Sequence, residues 1–250
     1  MTVPPTADVC LILEGTYPYV TGGVSNWAHD LILAQRHLSF HLLALVPPGA
    51  EGPLRFQLPP NVTGLTRVQL QTIAPGFDAP ASLDAVIARL EEPLIRLSTH
   101  GGLADVAEVL SALRSAGPDV GYEALLNSRQ SWDLLLRMYE RQCPRVSFLD
   151  YFWTWRTLLL GLCSVLLAPL VPARLYHALC TGYAGLYATR AHLETGRPIL
   201  LTEHGIYTNE RRVEITMADW LQQDALQTLS IDHLQRNLRD LWIDTFTSYS

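Results

Sequence analysis

The sequence predicts an α/β fold, a Rossmann-like parallel sheet flanked by helices, on three observations. An apolar run of strand length, Val9–Leu13, stops at Glu14-Gly15. A loop rich in Gly, Tyr and Pro follows, and from Val24 the apolar residues return at helical spacing. A second strand-like run, Phe40–Val46, then ends at Pro47-Pro48-Gly49. Strand, helix and strand in that order make a βαβ unit, whose parallel strands need a right-handed crossover.

In the helix from Val24 to Gln35, Val24, Trp27, Ala28, Leu31 and Ile32 share one face, which is expected to cover the sheet. Val62–Leu70 reads as a further strand or pair of strands. From Ser82 the spacing becomes helical over Ser82–Leu97, Gly102–Ala116, Gly121–Asn127 and Ser131–Gln142, with Ser82 as a cap and Gly117-Pro118 as a stop. An aromatic-rich helix starts at Phe148 and continues to Ala168. Val171–Cys180 returns to the sheet, Tyr183–Glu194 is a helix, and Ile199–Thr202 is a short buried strand; the tail from Glu210 is helical. The domain expectation is a single Rossmann-like domain over residues 1–250, with a helical insertion at about 80–170.

Composition narrows the function. Of 250 residues, 48% are hydrophobic and 17% charged, which is globular, and the net charge is −6. The 18 basic residues are all arginine and scattered, so no stripe for a nucleic-acid backbone is present and nucleic acid is not expected as a partner. Cys10, Cys143, Cys163 and Cys180 form no C-x-x-C pair, and the N-terminus carries no signal-peptide pattern; both point to a cytoplasmic location. The uncharged stretch Thr157–Ala173 falls short of a membrane span and holds two prolines near its end, so it reads as a buried helix.

Two loops leave strands at the carboxyl edge of the sheet, where ligands of such folds bind. In the first, the adjacent Gly22 and Gly23 sit at a helix mouth, where free N–H groups suit an anionic or hydroxyl-rich ligand; the alternative is a tight turn with positive φ angles. Neither G-x-G-x-x-G nor a P-loop is present, which argues against dinucleotide chemistry and nucleotide hydrolysis. The second loop, Thr202-Glu203-His204-Gly205-Ile206-Tyr207, places a carboxylate and an imidazole where they can address sugar hydroxyls; the alternative is a structural His bonded to backbone. His29 and His177 read as core or cleft-rim residues, His100-Gly101-Gly102 as a helix cap, and Arg211-Arg212 as a solvated pair. No metal-ligand cluster and no Ser/His/Asp order stands out.

Glu14–Trp27, together with Leu201–Ile215, resembles the N-terminal part of the PelF-type glycosyltransferases of Pel exopolysaccharide synthesis, as do the helical insertion and the stretch Tyr176–Ala188. The resemblance implies the N-terminal half of a GT-B fold and a retaining, family-4 type enzyme. Such an enzyme uses a nucleotide sugar, of the UDP type, to extend a biofilm polysaccharide, with no further cofactor. It implies that Gly22, Gly23 and Val24 face the donor diphosphate and that His204, flanked by Glu203, contacts the sugar as the catalytic pair. Glu14, Tyr17 and Tyr207 join them as substrate-binding candidates. Implied partners are the growing polysaccharide acceptor, a second GT-B domain that the family carries beyond the point matching Ser250, and a membrane-bound Pel synthase and transport complex at the inner face of the cytoplasmic membrane. Without that second domain the chain is expected to be inactive on its own. A non-catalytic carbohydrate-binding or scaffold module is the alternative.

Overall fold

The computed structural model describes residues 6–49, 52–76, 83–117, 120–205, 213 and 238–249. Its sheet has five strands, β1 (Ala7–Glu14), β2 (Phe40–Val46), β3 (Val62–Gln69), β4 (Ala173–Ala178) and β5 (Ile199–Leu201). They lie in the order β3-β2-β1-β4-β5, every pair parallel. The fold is therefore α/β and Rossmann-like, and the chain reverses its direction of travel across the sheet between β1 and β4. That reversal is the switch point at which open parallel sheets bind ligands.

The helices are α1 (Gly23–Ala34), α2 (Leu83–Leu97), α3 (Leu103–Ser115), α4 (Arg129–Gln142), α5 (Phe148–Leu166), α6 (Tyr183–Thr195) and α7 (Leu238–Tyr249), with a π-helical turn at Glu123–Asn127 where the sequence reads as an ordinary helix. Val62–Gln69 is one strand rather than two. The expected cap at Ser82, Pro118 of the expected stop and most of the tail from Glu210 lie outside the described residues.

β1 and β2 are central strands of a parallel sheet covered on both faces, which is why Cys10–Leu13 and Leu42–Val46 are apolar without alternation and buried throughout. Val9, Leu11, Leu13, Phe40 and Leu42 pack against Ala28 and Ile32 of α1, with Val24 and Leu31 partly buried beside them. Trp27 departs from the expected face: it is 37% exposed, and the small Ser25 is buried instead. β5 is likewise not buried, since Ile199, Leu200 and Leu201 are 41%, 47% and 45% exposed. It is the last strand of the sheet, and among the described residues no strand pairs with its outer side.

The turn out of β1 depends on Gly15, whose φ is +62°. A Cβ is disfavoured in that left-handed conformation, so Gly15→Ala is expected to cost about 1 kcal/mol of stability, read as a lower midpoint in urea. The positive φ anticipated at the glycine pair belongs here. Gly22 is extended, at φ 164°, and Gly23 opens α1.

Two compact units divide the chain. The sheet unit draws on Met1–Thr72 and Leu162–Tyr207, the helical unit on Ile73–Gly161 and Thr208–Ser250, so the final turn of α5 belongs to the first and the rest of α5 to the second. In the sheet unit Arg190 of α6 is 1% exposed, its Nε donating to Glu194 Oε1 at 2.8 Å and its Nη1 to the Val165 carbonyl at 2.8 Å. The Tyr187 hydroxyl donates to the Pro169 carbonyl at 2.8 Å and accepts from the Val171 amide at 3.1 Å, which fixes the approach to β4.

In the helical unit, Val86, Leu90, Leu97, Val109, Leu113, Leu134, Leu158 and Leu241 are buried. Ion pairs cross its surface: Arg96 to Glu108 at 2.6 Å, Arg137 to Glu91 at 2.7 Å and Arg141 to Glu92 at 2.6 Å. Such exposed pairs contribute at most about 1 kcal/mol each, so the apolar core holds the unit. Asp150 and Arg156 interrupt α5. Among the described residues no helix is long and apolar enough to cross a membrane.

Candidate functional site

The carboxyl edge of the sheet gathers most of the anticipated residues. The loop after β1 descends through Tyr17, whose side chain is fully buried with its hydroxyl 3.1 Å from His29 Nδ1 and its ring 4.9 Å from that of Phe56. Burial pushes the Tyr17 phenol up to about 12. Tyr17 therefore shapes the loop from inside, with its hydroxyl on His29.

The loop delivers Gly22 and Gly23 to the start of α1. No side chain caps that end, and the first helical turn holds no acidic residue. The amide of Asn26 closes the first helical bond on the Gly22 carbonyl at 2.9 Å, so the amides of Gly23, Val24 and Ser25 precede the helical ladder. A Cβ built on either glycine would meet nothing within 4 Å. Neither backbone conformation nor neighbouring protein atoms demands glycine at these two places. What they give is an uncapped, positively polarised helix end that a ligand can approach closely.

Beside it stand residues from β4 and β5. His177 on β4 is 5% exposed, and its Nε2 is hydrogen-bonded to Thr202 Oγ1 at 2.8 Å. Burial, reinforced by His204, lowers its pKa to about 4, so the ring is neutral. Thr181 Oγ1 donates to Glu203 Oε1 at 3.2 Å, which orients a carboxylate that is otherwise exposed. His204 is exposed, and the Trp27 ring meets it edge to face with centroids 4.6 Å apart; Trp27 and His177 are 6.4 Å apart, also edge to face. Glu14, at the end of β1, has its Oε2 4.0 Å from Cys180 Sγ across the switch point. Tyr207 lies outside the described residues, as do Arg211 and Arg212.

The edge thus joins the open start of α1 to two imidazoles, two threonine hydroxyls, two carboxylates and an indole. Chemically it offers N–H donors for an anion and a mixed donor and acceptor set for hydroxyls. Among the described residues no group of three or more His, Cys, Asp or Glu is placed to hold a metal ion. Trp27, Thr181 and Thr202 are the members that sequence reasoning missed. Trp27 sat on a plausible apolar stripe, and the two threonines carry no signal until β4 and β5 pair, with the Tyr176↔Ile199 to Ala178↔Leu201 register bringing their ends together.

No curated protein and no solved structure matches the chain. A family model described as a domain of unknown function, DUF3492, matches residues 7–250, and the chain belongs to that family.

Proposed function

We propose that this chain is the acceptor-side domain of a retaining GT-B glycosyltransferase that uses a nucleotide sugar, of the UDP type, to build a Pel-like biofilm polysaccharide in the cytoplasm. The observation that carries the reading is the uncapped start of α1 at the switch point, where Gly22 and Gly23 leave room that no atom of the described residues fills. The amides of Gly23, Val24 and Ser25 take the donor diphosphate and stabilise it as it departs. His204 and Glu203 address sugar hydroxyls, with Trp27 and Thr181 fixing their positions. Glu14 is a carboxylate and would repel a diphosphate, so its role is to accept from a hydroxyl. A second GT-B domain supplies the remaining donor contacts, and a membrane-bound Pel synthase and transport complex receives the product.

The test is binding and transfer with Gly23→Val and His204→Ala, the transfer assay using the chain joined to such a second domain. A side chain at Gly23 has open space in the free protein, so the fold is expected to keep its stability within about 0.5 kcal/mol while UDP binding falls at least about tenfold. His204→Ala is expected to lower turnover by about a hundredfold with UDP binding unchanged. Unchanged binding and turnover in both variants would remove the site.

A second reading rests on the helical unit, where Trp132, Leu149 and Trp153 are 45%, 62% and 59% exposed beside Phe148 and Phe152. There the chain is a non-catalytic scaffold that docks the synthase through this aromatic surface. Calorimetry separates the two readings, because a scaffold binds neither UDP nor UDP-sugars.

A further inference from the structure

Arg67 lies on β3 in the row Leu13–Ala44–Arg67, on the face of the sheet that α1 covers and one residue short of the row that holds Glu14. His177 is on the same face, in the row Leu65–Leu42–Leu11–His177. The carboxyl edge of this face therefore carries an arginine toward one side of α1 and the two histidines toward the other. The Arg67 guanidinium sits over the Tyr19 ring, 4.7 Å from its centroid, and its Nε donates to the Tyr19 hydroxyl. Tyr19 belongs to the loop that reaches Gly22 three residues later, and that loop is pinned by the Arg55 amide, which donates to the Pro18 carbonyl at 2.8 Å.

An exposed arginine ordinarily swings freely and loses rotamer entropy when a ligand immobilises it. Arg67 is already held by ring and hydroxyl. Stacking and the Nε bond use one face and one edge of the guanidinium. Among the described residues Nη1 and Nη2 meet no acceptor and no carboxylate pairs with Arg67. Those two groups are the fork that grips a phosphate or carboxylate bidentately. In a chain of net charge −6, a preoriented cation with no carboxylate partner among the described residues, held on the loop that leads to an open helix N-terminus, is a local attractor for anions.

We propose that Arg67, braced by Tyr19, is an oxyanion subsite of the same cleft, taking a phosphate group of the substrate beyond the reach of the α1 amides. It rests on the reading of this edge as a nucleotide-sugar site. The phosphate comes either from the donor diphosphate or from an acceptor that carries a sugar 1-phosphate.

Titration calorimetry with UDP, uridine and N-acetylglucosamine 1-phosphate tests it on the wild type, Arg67→Gln, Arg67→Lys, Tyr19→Phe and Gly23→Val. Arg67→Gln is expected to weaken one phosphate-bearing probe about tenfold or more and to flatten the salt dependence of its binding, while uridine is unaffected. Arg67→Lys keeps the charge without the fork and falls between the two; Tyr19→Phe keeps the ring without the bracing hydroxyl and weakens the same probe less. Loss with UDP assigns the subsite to the donor, and loss with the sugar 1-phosphate to the acceptor. If Arg67→Gln weakens a probe but Gly23→Val does not weaken UDP, the subsite stands and the helix-mouth reading falls. If Gly23→Val weakens UDP and Arg67→Gln leaves every probe within about twofold, the subsite is overturned and the helix-mouth reading stands. Failure of the wild type to bind either phosphate-bearing probe at millimolar concentration overturns both.

Discussion

Arg190→Met is expected to destabilise the sheet unit by about 2–3 kcal/mol, from two lost hydrogen bonds to a buried guanidinium. Arg190 is 1% exposed, and its removal takes away the hydrogen bonds that its Nε gives the Glu194 carboxylate and its Nη1 gives the Val165 carbonyl. Methionine keeps much of the aliphatic stem, so the loss reports the broken pair more than a cavity. Urea denaturation measures it, as a lower midpoint at unchanged slope. Arg190→Lys, which keeps a cation for Glu194 without the guanidinium's reach to both acceptors, is expected to lose less. A loss under about 1 kcal/mol in Arg190→Met would show that the buried guanidinium is dispensable.

Acid should weaken the fold through His177. Its pKa is about 4 in the folded protein, lowered by burial and then by His204, against the ordinary histidine value of 6.5 that the unfolded chain recovers. The unfolded state therefore binds the proton more readily. The stability held by the neutral ring is fully present above about pH 6.5 and is lost as the pH falls toward about 4. With solvent at the open edge of the sheet screening the charge, the loss amounts to about 2 kcal/mol. Denaturation at a series of pH values checks this against His177→Asn, which retains a polar partner for Thr202 and cannot titrate. The variant should show a shallower slope, with a remainder from His41, whose pKa burial also lowers. Equal slopes in both proteins would move the acid sensitivity elsewhere.

The fold was legible in the sequence because its central strands advertise themselves. Cys10–Leu13 and Leu42–Val46 are apolar on both faces, and only a parallel sheet covered by helices makes that pattern economical. The two loops were legible for a related reason: Glu14-Gly15 and Thr202-Glu203-His204 interrupt apolar runs abruptly, and such breaks mark strand ends. Burial at the edges was not legible. Ile199-Leu200-Leu201 looks like a core strand, yet strand order alone decides which apolar run ends up outermost, and order is a property of the crossovers. Trp27 illustrates the same limit on a helix. It lies on the right stripe of α1, but near the start of the helix, beside the sheet edge, where its neighbours are His177 and His204. Arg67 and Tyr19, 48 residues apart, had no common signal before β3 was laid beside β2.

The exposure of β5 has a consequence for how the protein behaves in bulk. A parallel strand whose outer edge has no partner among the described residues, with three aliphatic side chains open to water, is a template onto which another extended segment can add. At three residues the template is too short to hold a visitor firmly, so contact between copies there is weak, reversible and driven by concentration. Leu200→Lys is therefore expected to lower light scattering at high protein concentration.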